Sequence, residues 1–154
     1  MSYDTSGIRN VYNFSGVNNA ASAALGAIRV PAGCRFAAID DISAGVAAAI
    51  VGTTAAGLIQ IGTVATIAKY AAQAVGPLTG LPNVGSAYGS QDLDGRVAAY
   101  NPGLAPSATQ KGRIDLMQDG DTPGVLQTAL RVSNAAATGT PAGTYNVTIT
   151  VRFW

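Results

Sequence analysis

The chain of 154 residues contains no histidine, no glutamate and a single cysteine, Cys34. Each absence excludes a class of chemistry. Without imidazole there is no side chain that ordinarily titrates near neutral pH as a general base, and the commonest transition-metal ligand is missing. Without glutamate all eight acidic groups are aspartates, so the bidentate residue that closes a calcium loop is absent. A lone cysteine forms no intrachain disulfide, and among Val30, Ala32, Phe36 and Ala37 it reads as a small buried hydrophobe. Charge is also scarce, at 11% of the chain against roughly a quarter in ordinary soluble domains. The net charge is +1, and the cations stand singly apart from Lys111 and Arg113. A surface that grips phosphates needs several cations together, so no nucleic-acid partner is expected.

Hydrophobic residues make up 48% of the chain, but 29 of them are alanine. The expected core is therefore thin, and burial against another subunit is the simplest way to stabilise it. Residues 42–68 carry no charge over 27 positions, yet they include Ser43, Thr53, Thr54, Gln60, Thr63, Thr66 and four glycines. That content, rich in Val, Ile and Thr and broken at Gly52, Gly57 and Gly62, predicts two or more buried strands rather than a membrane span. No membrane partner is expected. The opening Met-Ser-Tyr-Asp-Thr-Ser-Gly lacks the basic and apolar regions of a secretory signal, so synthesis in a cytoplasm is expected.

Along the chain, residues 1–19 are polar and punctuated by Gly and Asn, and carry Tyr3, Tyr12 and Phe14. They predict an extended arm that docks its aromatic groups on a surface. Residues 20–154 follow as one β-sandwich domain. Within it, residues 20–25 suggest a helical turn, 27–30 a strand, Pro31-Ala32-Gly33 a turn, and 34–39 a strand closed by a turn at Asp40-Asp41. Residues 66–75 contain good helix formers and end in Gly76-Pro77, which predicts a short helix with Ile67, Tyr70, Ala71, Ala74 and Val75 on one face. Residues 77–106 read as long surface loops with a short strand at 96–100. Strands are expected at 112–117 and 125–133, separated by the turn-dense 118–124 and followed by a small-residue connection over 134–143. From 144 to 154 the alternation is unbroken. Tyr145, Val147, Ile149, Val151 and Phe153 share one face, and Asn146, Thr148, Thr150, Arg152 and Trp154 the other. The expected fold is all-β, an antiparallel β-sandwich of jelly-roll type with one short helix and long loops.

The search for chemistry yields little. Asp92 with Asp94, and Asp119 with Asp121, have the i, i+2 spacing that opens a calcium loop, but Asp-Gly pairs of this kind are chiefly turn formers. Any Ser, Thr or Cys nucleophile would have only Lys69, Lys111 or an aspartate as its base. The glycine-rich 80–85 lacks the Gly-Lys-Ser/Thr ending of a phosphate loop. No catalytic residue, cofactor or metal is assigned, and the expectation is a structural protein rather than an enzyme.

The charge-poor, Ala/Gly/Thr-rich composition, the aromatic arm and the stretch Gly139-Thr140-Pro141-Ala142-Gly143-Thr144-Tyr145-Asn146-Val147-Thr148-Ile149-Thr150-Val151 resemble the head decoration, or cementing, proteins of tailed bacteriophages. That resemblance implies a β-rich subunit, a homodimer or homotrimer, that binds outside the capsid where major capsid proteins meet. It also implies a virion location after synthesis in a bacterial cytoplasm. The interface residues expected on this reading are Tyr3, Tyr12, Phe14, Tyr70 and Trp154. The same Pro-Ala-Gly-Thr-Tyr stretch is similar to the final strand of pilus and spore-coat-type adhesin subunits. The alternative is thus a receptor- or carbohydrate-binding module of a fibre, with Tyr88, Tyr100 and Trp154 stacking on ligand.

Overall fold

A computed structural model of the chain describes residues 7–75, 87–88 and 113–154. The strands in chain order are β1 (Ile8–Asn18), β2 (Ala23–Arg29), β3 (Phe36–Ala55), β4 (Gly57–Gly62), β5 (Ala71–Val75), β6 (Ala87–Tyr88), β7 (Ile114–Asp115), β8 (Ala129–Ala135) and β9 (Thr138–Phe153). All pairings are antiparallel. One sheet has the order β1-β9-β3-β6, with β7 also on β3, and the second has the order β2-β8-β4-β5. No helix occurs among the described residues.

The alternation in β9 explains the first sheet. Tyr145, Val147, Ile149, Val151 and Phe153 are each 2% exposed or less, and they face Ile28, Leu130, Val132, Ile59 and Ile61 of the second sheet within one apolar cluster. Cys34 is buried in the same cluster, as its apolar neighbours predict. The central strand β3 meets β9 from Ala37↔Phe153 to Ala55↔Thr138, with several register shifts. One lies between Ile39 and Asp41. Two inward isoleucines three residues apart do not fit a period of two, and the extra residue of a bulge lets both Ile39 and Ile42 reach the core. The turn expected at Asp40-Asp41 is therefore a bulge inside a 20-residue strand. Further along, Gly52 and Gly143 adopt positive φ. A side chain at either would overlap a facing carbonyl oxygen, of Thr140 and Ala49 respectively.

The two sheets meet at a corner that three strands turn together. β1 passes to β2 through residues 19–22, β3 to β4 through Ala56, and β8 to β9 through residues 136–137. The triples β1-β9-β3 and β2-β8-β4 thus share one order. Bending three strands strips main-chain groups of ladder partners, and buried amides replace them. Asn134 Nδ2 donates to the Asn18 and Ala21 carbonyls, and its oxygen accepts from the Ala23 amide. Asn19 donates to Thr53 Oγ1. The helical turn expected at 20–25 is replaced by this corner and the start of β2, and the expected connection at 134–143 shrinks to two residues.

The short helix expected at 66–75 is not formed. Thr63 and Lys69 both donate to the Thr66 carbonyl, and Thr66 donates back to Thr63 Oγ1, closing a compact turn. Tyr70 N–H then donates to Ile61 O, and Ala71–Val75 pairs with β4 in the register Ile61↔Ala71 to Gly57↔Val75. A ten-residue helix has little stability of its own in water, whereas this segment satisfies the whole edge of β4. Strands 112–117 and 125–133 also shift. Only Ile114–Asp115 pairs in the first, and the second runs over Ala129–Ala135. Most of the loops expected over 77–106, including the strand at 96–100, lie outside the described residues.

Candidate interaction surface

The aromatic residues of β1 turn inward. Tyr12 and Phe14 lie opposite Ile149 and Val147, on the core side, and pack against the apolar cluster. Tyr12 Oη donates to the Arg29 carbonyl of β2 at 3.3 Å. Phe14 lies over Gly26 of β2, where a Cβ would sit 3.2 Å from its ring. Residues 8–18 therefore dock on the chain's own second sheet and close the open side of the sandwich where β1 and β2 are the two edge strands. Tyr3 lies outside the described residues.

Tyr70 is fully buried. Its hydroxyl lies 2.7 Å from both the Asp119 carbonyl and the Gln127 side-chain oxygen position. One hydroxyl proton serves one acceptor, so both contacts are satisfied when Gln127 turns its amide nitrogen toward Tyr70 while the hydroxyl donates to Asp119. Burial, with Asp119 nearby, pushes the phenol up to about 12. Lys69 Nζ donates to the Gly120 carbonyl. Tyr70 and Lys69 thus fasten the 119–127 loop to the turn before β5.

Asp119 and Asp121 serve that loop. Asp119 accepts from the Asp115 amide. Asp121 accepts from the Ala65 amide, and the Thr63 hydroxyl holds its carboxyl below the usual range. Among the described residues no three Cys or Asp side chains gather as a metal site. Asp92 and Asp94 lie outside them.

Whereas Tyr12 and Phe14 are half-buried and Tyr70 is buried, Trp154 is exposed, at 43%. Its main chain is fixed, since Arg35 and Phe36 donate to its carbonyl and its own N–H donates to Phe36 O. Phe36 lies 6.0 Å from its ring and Arg152 lies 5.8 Å over it. Arg35 and Arg113 stand over Phe36 at 5.3 and 4.9 Å. Arg9 and Arg152 share Asp40 at 2.9 and 3.1 Å, and Arg35 pairs with Asp115, holding that carboxyl below its ordinary range. Three cations that stand far apart in sequence therefore meet around two aromatic rings on the outer face of the first sheet, with Arg9 linked to them through Asp40. The i, i+2 pair Arg152 and Trp154 was the visible signal of this. The contribution of β1, β3 and residue 113 depends on strand order.

A second surface feature borders β2 and β8. Ala24, Gly26, Ala27, Val64, Val125, Leu126 and Arg131 contribute to an open groove of about 640 Å³, with Val64 and Val125 strongly exposed. Tyr88 pairs through its backbone with Ala44, and Tyr100 lies outside the described residues. No helix among the described residues is long and apolar enough to cross a membrane. The chain matches no protein-family model, no curated protein and no solved structure.

Proposed function

We propose that the chain is a jelly-roll virion protein that binds the outside of a phage capsid as a homo-oligomer and stabilises it. The observation that carries this reading is the strand order β1-β9-β3-β6 over β2-β8-β4-β5. That order is compatible with a jelly-roll path, an architecture found among viral capsid and lectin domains, and so supports the reading. Fold alone does not assign function. The scarcity of charge and the absence of histidine and glutamate favour assembly over catalysis. Exposed Val64, Val125, Leu126 and Trp154 supply surface for subunits to cover. Many weak contacts repeated by symmetry would give the stability through avidity.

The alternative reading, a receptor- or glycan-binding module, is favoured by one observation, the exposed Trp154 ring beside arginines. Sizing chromatography of the purified protein, alone and then with empty capsids of the phage that encodes it, separates the two. An oligomer that co-elutes with capsids supports the first reading. A monomer that ignores capsids and binds glycans overturns it.

A further inference from the structure

We propose that the surface around Trp154, Phe36 and Arg113 is a docking site for an acidic peptide segment of a partner protein. Three guanidiniums, of Arg35, Arg113 and Arg152, lie over the rings, and Arg9 joins them through Asp40, which it shares with Arg152, while Arg35 pairs with Asp115. The two carboxylates are already engaged by Arg9, Arg152 and Arg35. Arg113 has no carboxylate partner among the described residues, and its guanidinium rests on Phe36. Asp41, opposite Thr150 on the same face, brings the carboxylates to three against four guanidiniums, so the charge left over among the described residues is positive and falls to Arg113 beside an exposed tryptophan.

All four cations are arginines, whose planar fork grips a carboxylate through two parallel hydrogen bonds. Tryptophan and arginine are also the residue types that dominate binding energy at protein interfaces. Preorganisation is built in, because Arg35, Phe36 and Trp154 are tied by three main-chain hydrogen bonds and Arg152 lies within β9. Ordering such a surface on binding costs little. A second copy presenting the same patch would set like charges face to face, so charge complementarity selects an acidic partner over self-association through this surface. On the capsid reading, on which this last identification rests, the acidic segment belongs to the shell protein.

Trp154 is the only tryptophan of the chain, so its fluorescence reports occupancy of this patch directly. Titration of the intact protein with a hexaglutamate peptide is expected to give a saturable change that weakens with added salt. Arg113→Ala, which removes an exposed side chain, is expected to lower affinity roughly tenfold and leave the circular dichroism unchanged. Arg29→Ala, on the other sheet, is expected to leave affinity unaltered. Equal affinity in the Arg113→Ala protein, or equal binding of hexalysine, overturns the proposal. So does stronger binding of heparin or a DNA oligonucleotide than of the peptide, which would mark a general polyanion surface. Co-sedimentation with capsids separates this proposal from the reading it extends. Capsid binding without peptide binding sinks the patch alone, and peptide binding without capsid binding sinks the capsid partner alone.

Discussion

Asn19 donates its side-chain amide to Thr53 Oγ1 at 3.1 Å, joining the turn after β1 to the far end of β3. With Asn134 it supplies the polar groups that let three neighbouring strands leave one sheet and enter the other side by side. Both asparagines are 3% exposed or less, so water does not substitute for them. Asn134→Ala leaves the Asn18 and Ala21 carbonyls and the Ala23 amide without this partner. A loss of roughly 2–4 kcal/mol is expected in urea unfolding. Ser22→Ala removes one exposed acceptor of the Ala136 amide and is expected to cost less than about 1 kcal/mol. Equal losses for the two would mean that the corner is held by packing alone.

Two glycines with similar backbone angles are expected to respond differently to alanine. Gly33 and Gly52 have φ of 85° and 67°. Around Gly33 an added Cβ meets nothing within 4 Å, whereas at Gly52 it overlaps the Thr140 carbonyl of the paired strand. Gly33→Ala therefore carries only the left-handed backbone cost, about 1 kcal/mol. Gly52→Ala must also part β3 from β9, and a loss of about 3 kcal/mol or more is expected. Thermal unfolding of the two variants checks this difference.

What the sequence disclosed followed from period and punctuation. Tyr145 through Phe153 alternate without interruption because one face is wholly buried, and the turn at Pro31-Ala32-Gly33 is signalled by its own residues. The breaks at Gly57 and Gly62 likewise mark where β4 begins and ends, whereas Gly52 lies inside β3. Residues 71–75 were misread because alanines suit a helix locally, while the unfilled edge of β4 is a tertiary fact. Asp40-Asp41 looked like a turn because a bulge in a long strand carries the same polar interruption. For the candidate surface, Trp154 was legible as an outward residue, and it follows directly on β9. Its neighbours Phe36, Arg35 and Arg113 come from elsewhere in the chain and are joined only by pairing of β3 with β9 and β7.

Closure of the sandwich edge by Phe14 gives a third expectation. Its ring covers Gly26 on the opposite sheet and packs against the core. Phe14→Ala is expected to destabilise the fold by roughly 2–4 kcal/mol. Tyr12→Phe removes two long hydrogen bonds, the one donated to Arg29 O and the one accepted from the Asn10 amide, and should cost about 1 kcal/mol. Amide hydrogen exchange along β1 should accelerate in the first variant and not in the second. Unchanged exchange in Phe14→Ala would show that main-chain pairing with β9 alone secures the strand.

On the acid side, Asp115 and Asp121 are held below their ordinary range, first by the Arg35 hydrogen bond and the Thr63 hydroxyl respectively. A carboxyl whose folded pKa lies below its unfolded value contributes stability above the unfolded value, near 4, and loses it as pH falls through the folded one. Stability is thus expected to decline below about pH 4. Asp115→Asn should flatten that decline, measured as urea midpoint against pH. An unaltered acid limb in that variant would remove Asp115 from the account.

At alkaline pH the sign reverses. Burial pushes Tyr70 and Tyr145 up to about 12 from an ordinary value of 10.0. The Asn134 amide approaches Tyr145 Oη and weakly opposes the shift, but no partner meets hydrogen-bond geometry there, because Asn134 is committed to the corner. A phenol whose folded pKa lies above its unfolded value contributes stability that is complete below the unfolded value and is lost as pH rises through the folded one. The fold should therefore hold to about pH 10 and weaken steadily toward pH 12. Tyr145→Phe removes one of these titrations without removing a formed hydrogen bond, so it should shallow the alkaline decline at little cost near neutrality. Tyr70→Phe should also shallow it, yet lower stability at neutral pH by roughly 1–2 kcal/mol, because the Asp119 carbonyl loses its donor. Ultraviolet titration of tyrosinate beside urea unfolding distinguishes the two, and an alkaline limb unchanged in both variants would place its cause elsewhere.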